Sequence, residues 1–229
     1  MTPVIIVMVK APLPGFVKTR LTPPLTKVDA AALSLCFVQD VVTSALTVSP
    51  NLIVAFTPSD GRNVLEPVLP QNLLWLEQKG AHLGERLDSA TNHARDLGFS
   101  PIIVLGADSP TLPPSLIENA LRALTSDKAD IVLGPTTDGG YYLIGFRKPD
   151  GAVLRNITWS SPVTFEQTVR NIKQLELPLF TLPQWYDVDT FANLTFLANE
   201  LRTDLEARGR APQTYRWVLD HASLLNKTD

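Results

Sequence analysis

Runs of apolar residues alternate along the chain with stretches in which apolar residues recur every three or four positions. Uninterrupted apolar runs are typical of strands buried on both faces of a sheet, and the wider spacing is typical of helices that pack one face on such a sheet. The pattern therefore predicts alternating strands and helices. Strands are predicted at residues 3–9, 52–56, 73–77, 101–105, 130–134, 141–146 and 177–182.

Capping signals mark the ends of the intervening helices. Thr26 with Asp29 three positions later resembles a capping box, and Gly98 lies where a helix commonly ends in a left-handed residue. The prolines at 113 and 114 introduce another helix, because proline is favoured in a first helical turn. Helices are thus predicted at residues 26–46, 63–69, 85–97, 114–124, from 161, 190–201 and 212–225.

This alternation predicts a three-layer, Rossmann-like α/β fold with a mostly parallel sheet covered by helices on both faces. The chain has 229 residues and shows no repeat, low-complexity tract or long linker, so we expect a single domain over residues 1–229. In such sheets ligands bind outside the carboxyl ends of the strands. Candidate functional residues are therefore sought directly after the apolar runs.

Charge and composition exclude several classes of protein. Twenty basic residues stand against 23 acidic ones without a basic stripe, which disfavours nucleic acid as a partner. The single cysteine, Cys36, cannot form an intramolecular disulfide, which favours a cytoplasmic location. The apolar run at residues 4–9 is too short to cross a bilayer, and we expect no membrane span. The oligomeric state stays open.

Residues 10–21, KAPLPGFVKTRL, follow the first strand and form the first candidate site. The spacing fits neither a Walker loop nor a dinucleotide fingerprint, but a glycine among basic side chains suits phosphate oxygens. Gly84 and Arg86, in HLGERL, are a weaker candidate of the same kind. The alternative is ordinary solvated basic residues. The predicted nucleotide- or phosphate-binding residues are Lys10, Gly15, Lys18, Arg20, Gly84 and Arg86.

Aspartates after two later strands form the second candidate site. Asp108 follows the run at residues 101–105, where a carboxylate can hold a hard cation such as Mg²⁺ or Mn²⁺. Asp187 and Asp189 follow the last strand; we expect only one of them to share a site with Asp108, and choose Asp189 as the second metal ligand. The alternative for each aspartate is a turn or helix cap.

Asp138, Gly139 and Gly140 separate two predicted strands and form the third candidate. Aspartate followed by glycine is a common hairpin turn, which is the alternative interpretation. Adjacent glycines also permit close approach of a ligand, and aromatic residues follow them. We predict that Asp138 is catalytic together with Asp108 and Asp189. The predicted ligand pocket consists of Gly139, Gly140, Tyr141 and Trp159.

Five segments in this order, KAPLPGFVKTRL, HLGERL, GADSPTLP, LGPTTDGGYYLIGF and DVDT, resemble the glycosyltransferase-A-like family of radical-SAM and selenodomain-associated transferases. The core is also similar to molybdenum-cofactor and phospholactate guanylyltransferases. The resemblance implies a nucleotide-diphospho-sugar transferase fold in which Asp108 and Asp189 hold the metal and Lys18 and Arg20 meet phosphates. It also implies that the ligand pocket of Gly139, Gly140, Tyr141 and Trp159 is the acceptor pocket. The chain departs from the guanylyltransferases in its proline-rich opening loop. It also lacks an Asp-x-Asp pair at Asp108, which is flanked by Ala107 and Pro110 instead.

Three functions fit these residues. A glycosyltransferase would move a sugar from a nucleotide-diphosphate sugar to a small acceptor, with the metal stabilising the leaving diphosphate. A nucleotidyltransferase would take a nucleoside triphosphate and release pyrophosphate. A non-catalytic nucleotide-binding module is the third. Glycosyl transfer is the preferred prediction, and the products distinguish the first two.

Overall fold

The computed structural model of the protein describes residues 2–126 and 128–225 and contains a seven-stranded sheet. Each predicted strand is present, although β4 is longer and β7 shorter than the apolar runs suggested. The apolar side chains of the central strands are almost wholly buried, as uninterrupted runs predict. The strands are β1 (Thr2–Lys10), β2 (Leu52–Thr57), β3 (Leu74–Glu77), β4 (Phe99–Gly106), β5 (Ile131–Pro135), β6 (Tyr141–Phe146) and β7 (Leu179–Thr181).

The strand order across the sheet is β3-β2-β1-β4-β6-β5-β7. β1 pairs in parallel with β2 and β4, β2 with β3, and β5 with β7, whereas β6 runs antiparallel to both of its neighbours. The sheet is therefore mostly parallel, as predicted. The parallel strands β1 and β4 lie side by side, so the segments that follow them leave the sheet at the same edge.

Helices cover both faces of the sheet. One face packs on α1 and α4, and the other on α3 and α5. The prediction of a helix from Thr26 is confirmed, since its side chain caps the backbone of Asp29. The helices are α1 (Lys27–Val48), α2 (Arg62–Leu65), α3 (Leu83–Asp96), α4 (Pro114–Thr125), α5 (Thr164–Gln174), α6 (Phe191–Thr203), α7 (Leu205–Arg210), α8 (Pro212–Asp220) and α9 (Ala222–Leu225).

The carboxyl-terminal helices add a partial fourth layer that the sequence did not indicate. Their apolar side chains form a separate core with the outer face of α1, around Phe37, Leu197 and Trp217. The predicted helix at residues 212–225 is divided into α8 and α9 at His221. α1 thus lies between the sheet and these helices, and it is buried from two sides.

Helix α1 is long and apolar enough to cross a membrane by length and composition alone, but half of its most apolar window is buried inside the protein. One polar side chain on it is also buried. Asp40 is 1% exposed and accepts hydrogen bonds from the backbone N–H groups of Gln213 and Thr214 and from the Thr214 hydroxyl. Burial raises the pKa of the Asp40 carboxyl, and its hydrogen bonds partly oppose that effect. Asp40 therefore fixes the start of α8 on α1.

Candidate functional site

Three segments predicted to carry the chemistry meet at the carboxyl edge of the sheet. The loop after β1 brings Lys18, the loop after β4 brings Asp108, and the segment before α6 brings Asp189. The backbone N–H of Val188 donates to the carbonyl oxygen of Asp108 at 3.0 Å, which holds the second and third segments side by side. The rule that strand ends share one edge explains this convergence.

Lys18 lies at the centre of this convergence. Its Nζ is 2.5 Å from Oδ1 of Asp108, 3.1 Å from Oδ1 of Asp189 and 2.7 Å from the carbonyl oxygen of Val188. Burial acts to lower the pKa of Lys18, but the charges of the two aspartates outweigh burial and raise it above the ordinary value. An ammonium has three donors, so these three partners use all of them. A phosphate could bind Lys18 only by displacing one of them.

A cavity of about 210 Å³ opens beside Lys18 on the side of the loop after β1; we call it the basic cavity. It contains three cationic side chains, and the guanidinium of Arg20 is largely exposed. Gly15 has a φ of 84° and allows the loop to turn immediately before Phe16, which is 59% exposed and lines this cavity. The residues with charged or aromatic groups that line it are Lys10, Phe16, Lys18, Arg20, Asp108 and Asp189.

A second cavity of about 150 Å³ lies on the other side of Asp108; we call it the acidic cavity. Gly140, Tyr141 and Trp159, three of the four residues predicted to form an acceptor pocket, line it together. Asp108 is the one residue in the described part of the chain that lines both cavities. The acidic cavity also contains Asp138, Asp187 and several hydroxyl groups.

Asp187 reaches this site although the sequence analysis chose only Asp189. The expectation that one of the two would point away was wrong, because residues two apart in an extended segment point to the same side. Val188 between them is fully buried, while Asp187 faces the acidic cavity and Asp189 the basic one. Burial, together with the charges of Asp138, Asp189 and Asp108, raises the pKa of the Asp187 carboxyl to about 6.

Because its pKa is raised in the folded protein, the Asp187 carboxyl lowers the stability of the fold at neutral pH. A group that binds its proton more tightly when folded lowers stability as pH rises from about 4 to 6. Asp187→Asn is therefore expected to match the parent at pH 4 and to exceed its unfolding free energy at pH 7 by about 1–2 kcal/mol, allowing for solvent screening.

Urea unfolding of the parent and Asp187→Asn at the two pH values measures this difference. Asp60→Asn, an exposed aspartate that lines neither cavity, is the matched control and is expected to follow the parent. Equal unfolding free energies of Asp187→Asn and the parent at pH 7 would show that the charge of the Asp187 carboxylate does not destabilise the fold.

The Asp138-Gly139-Gly140 segment is both a hairpin turn and a cavity wall. It connects β5 to β6, and Oδ1 of Asp138 accepts hydrogen bonds from the Thr136 hydroxyl at 2.5 Å and from the Gly140 N–H at 3.0 Å. Gly139 has a φ of 90°, and a Cβ there would lie 2.1 Å from the carbonyl oxygen of Pro162. Gly139 thus packs beside the acidic cavity rather than lining it. The loop is therefore a hairpin turn, and its residues Asp138 and Gly140 also line the acidic cavity.

Gly139→Ala is expected to lower the unfolding free energy by about 3 kcal/mol, because it combines left-handed strain with a backbone clash. Gly98→Ala is the matched control: Gly98 has a φ of 87°, but nothing lies within 4 Å of its would-be Cβ. It should cost about 1 kcal/mol from strain alone. Chemical denaturation of both variants measures the difference, and equal losses would contradict the clash with Pro162.

Gly84 and Arg86 do not join the other predicted phosphate-binding residues. A Cβ at Gly84 would lie 2.6 Å from Nε1 of Trp159, so this glycine makes room for the indole that forms one wall of the acidic cavity. Arg86 donates its Nε–H to the carbonyl oxygen of Gly80 at 3.0 Å, near the start of α3. Neither residue lines the basic cavity, and their placement gives a phosphate role no support.

The fit of a metal ion depends on what the substrate contributes. Among the described residues, no three His, Cys, Asp or Glu side chains are grouped so that they could hold a metal ion by themselves. Asp108 and Asp189 each use Oδ1 for Lys18. Oδ2 of Asp108 remains for a cation, whereas Oδ2 of Asp189 also lies 3.9 Å from Nη1 of Arg20, with which a cation would share it. Mg²⁺ commonly binds one or two carboxylates and takes its other ligands from substrate phosphates and water. The residues therefore fit a metal that arrives with a phosphate-bearing substrate.

Two residues at the site were missed by the sequence analysis. Phe16 lies inside the basic loop, and an exposed aromatic residue between a glycine and two cations was the available signal. Asp187 stands in the same DVDT segment as Asp189, and correct use of the two-residue strand period would have included it.

A family model described as an uncharacterized protein conserved in bacteria (DUF2064) matches residues 41–161. This segment includes Asp108, Asp138 and Trp159 but ends before Asp187 and Asp189. None of the curated proteins compared with the chain matches it.

Solved structures extend the comparison over the whole chain. A candidate nucleotide-diphospho-sugar transferase from Desulfovibrio desulfuricans G20 is 31% identical, with a TM-score of 0.91 and coverage of 99% of this chain and 98% of that one. A cytidylyltransferase from Leptospira borgpetersenii serovar Hardjo-bovis is 12% identical, with a TM-score of 0.57 and coverage of 100% and 98%. CMP:2-keto-3-deoxy-manno-octonic acid synthetase, complexed with CTP, is 15% identical, with a TM-score of 0.58 and coverage of 90% and 100%. The fold is therefore that of nucleotide-sugar transferases. These similar structures give no support to an association with radical-SAM proteins.

Proposed function

The chain belongs to the DUF2064 family of bacterial proteins, and from that premise we propose that it is a metal-assisted transferase using a nucleotide-diphosphate sugar to glycosylate a small acceptor. The observation that carries the proposal is the position of Asp108 between the basic and the acidic cavity. A donor diphosphate in the first cavity and an acceptor in the second would meet at this residue.

The charged groups suit the two ends of such a reaction. Lys10 and Arg20 line the basic cavity and would bind the phosphates, while Lys18 holds Asp108 and Asp189 in place. Mg²⁺ or Mn²⁺ would be held by Asp108 and Asp189 and would neutralise charge on the departing diphosphate. Asp138 would act on the acceptor side, where it lines the acidic cavity.

The experiment is a thermal-shift screen of the protein against nucleoside mono-, di- and triphosphates and nucleotide sugars, each with Mg²⁺, Mn²⁺ or EDTA. A ligand that binds only the folded state raises the apparent stability. We expect the largest shift with one nucleotide sugar in the presence of metal. No shift with any of these compounds would leave the fold unchanged and would remove support for the proposed function.

The alternative is nucleotidyl transfer, which two distant cytidylyltransferase-like structures of the same fold keep open. The product separates the reactions, since glycosyl transfer from a nucleotide sugar releases a nucleoside diphosphate and nucleotidyl transfer releases pyrophosphate. Tight binding with neither product, unaffected by Asp189→Ala, would instead indicate a non-catalytic nucleotide-binding module.

Phe16 is expected to stack on the base of the nucleotide. Its ring is exposed at the basic cavity beside the cations, and stacking of a base on an aromatic side chain contributes about 1–3 kcal/mol. Phe16→Ala should weaken binding of the preferred nucleoside diphosphate about tenfold, while Phe16→Tyr should bind like the parent. Isothermal titration measures both, with inorganic pyrophosphate as the internal control because it has no base. An equal loss for pyrophosphate would contradict stacking.

A further inference from the structure

The two cavities that meet at Asp108 differ in charge. The basic cavity contains Lys10, Lys18 and Arg20, whereas no Lys, Arg or His is among the described residues that line the acidic cavity. Asp108, Asp138 and Asp187 all face that second cavity. An anion would therefore find counter-charges on one side of Asp108 and only carboxylates on the other.

The three carboxylates are unequally compensated. Asp108 is paired with Lys18, which approaches from the basic cavity. Asp138 accepts hydrogen bonds from the Thr136 hydroxyl and the Gly140 N–H, both of which are uncharged. Asp187 is half-buried and makes no ion pair in the part of the chain that the structure describes. Since a partly buried carboxylate without a counter-charge attracts donors and repels anions, the field in this cavity selects against negative charge.

The remaining walls suit a polar, compact ligand. Tyr141 and Trp159 stand edge to face with their ring centroids 6.4 Å apart, and both rings border the cavity. Ser109 and Thr136 line the same cavity, and their hydroxyl groups donate hydrogen bonds to the carbonyl oxygen of Tyr186 and to Asp138. Aromatic surface beside hydrogen-bonding groups binds molecules that have an apolar or cationic face and polar edges.

We infer that the acidic cavity takes an acceptor without negative charge, whose hydroxyl or amine groups donate hydrogen bonds to Asp138 and Asp187, and that it rejects phosphate- or carboxylate-bearing acceptors. That the ligand of this cavity is the acceptor of a transfer reaction rests on the proposed function. The charge preference itself rests only on the lining of the cavity.

The preference bears on the reaction. A nucleotidyl transfer to an acceptor phosphate would place that phosphate among three carboxylates, whereas transfer to a hydroxyl would not. In the latter case the acceptor oxygen bonds to the sugar carbon while the bond from that carbon to the diphosphate oxygen breaks. The nucleoside diphosphate leaves with the electron pair, and the hydroxyl proton passes to solvent. The cavity therefore favours an acceptor hydroxyl over an acceptor phosphate.

Trp159 reports on the cavity directly, because its half-buried indole is part of the wall. The fluorescence emission of Trp159 is obtained by subtracting the emission of the Trp159→Phe variant from that of the parent. Both proteins are titrated with Cs⁺ or with iodide at constant ionic strength. Each quenching constant is divided by the constant for N-acetyltryptophanamide, and we expect the resulting value for Cs⁺ to be several times that for iodide. The double variant Asp138→Asn/Asp187→Asn should reduce this ratio of Cs⁺ to iodide quenching by at least half.

Asp88→Asn is the matched control, because Asp88 lines a neighbouring cavity that Trp159 also borders, and it does not line the acidic cavity. It should change the ratio less than the double variant does. Iodide quenching equal to or stronger than Cs⁺ quenching, or a ratio that the double variant leaves unchanged, would overturn the inference. If the double variant does not fold, Asp187→Asn alone gives the same comparison.

The outcome is independent of the nucleotide screen. A Cs⁺ preference without nucleotide binding would overturn the proposed function and leave the charge preference intact. Nucleotide-dependent transfer to a phosphate-bearing acceptor, tested with glucose 6-phosphate against glucose and glucosamine, would overturn the charge preference while the transferase function stands. Transfer to glucose or glucosamine but not to glucose 6-phosphate would support both.

Discussion

Asp108→Asn is expected to lower the rate of transfer by about 10²–10³-fold, which is the usual cost of removing one electrostatic group from a reaction centre. Asp108 is the one described residue shared by the basic and acidic cavities, so its loss affects the donor and acceptor sides together. Its side chain is 52% exposed, and the fold should therefore survive the change. Initial rates at saturating donor, with circular dichroism of the same samples, measure the effect.

The same variant tests the metal assignment. In Asp108→Asn the extra thermal stabilisation that Mg²⁺ or Mn²⁺ gives in the presence of a nucleoside diphosphate should disappear. Asp189→Asn should reduce it if the predicted pair holds the metal, and Asp96→Asn, on an exposed position of α3, should leave it unchanged. A metal response in Asp108→Asn equal to that of the parent would show that the metal, if bound, lies elsewhere.

The strand ends explain why Asp108 could be predicted from the sequence. Uninterrupted apolar runs identified β1 and β4 as buried parallel strands, and the position of ligands beyond the carboxyl ends of such strands pointed to the residues that follow. The same reasoning found Lys18 and Asp189. In each case the relevant information is local, because a strand and the loop after it are contiguous in the chain.

Contacts between distant segments could not be predicted in this way. Lys18 and Asp189 are 171 positions apart, and nothing in their spacing indicates that one ammonium uses all its donors on two carboxylates and a carbonyl. The position of Arg86 could not be predicted for the same reason. A basic residue at a helix start does not reveal which loop it faces, and here Arg86 donates to the carbonyl oxygen of Gly80. The layer of helices on the outer face of α1 also depends on packing between residues far apart in sequence.

Charge balance was the most informative property that only the structure supplies. The chain has nearly equal numbers of acidic and basic residues, which suggests no strong local field. In the fold, the basic residues near the site lie on one side of Asp108. Asp138 and Asp187, which make no ion pair with any described residue, lie on the other side. Net charge therefore says little about a site whose function depends on the separation of charge.

Lys18→Met is expected to weaken binding of the nucleoside diphosphate with Mg²⁺ about a hundredfold, through the carboxylates that Lys18 holds. Without the ammonium, Asp108 and Asp189 lose their shared counter-charge and repel each other. The unfolding free energy should also fall at pH 7, by about 1–2 kcal/mol because both carboxylates are partly exposed. Titration calorimetry and urea unfolding measure the two effects.

A rise in pH separates this positioning role from direct phosphate contact. The stability deficit of Lys18→Met should shrink as the pH rises through the pKa of Lys18, which the two aspartates hold above its ordinary value, because the folded parent then loses the ammonium as well. Lys173→Met, which removes an exposed lysine from α5, controls for the loss of one positive charge. If Lys18→Met instead shows parent stability at every pH but loses affinity for inorganic pyrophosphate as strongly as for the nucleotide, Lys18 binds phosphate after releasing its aspartates. The three partners of Lys18 in the structure favour the first result, since a fully bonded, buried ammonium would have to give up a carboxylate before it could bind a phosphate.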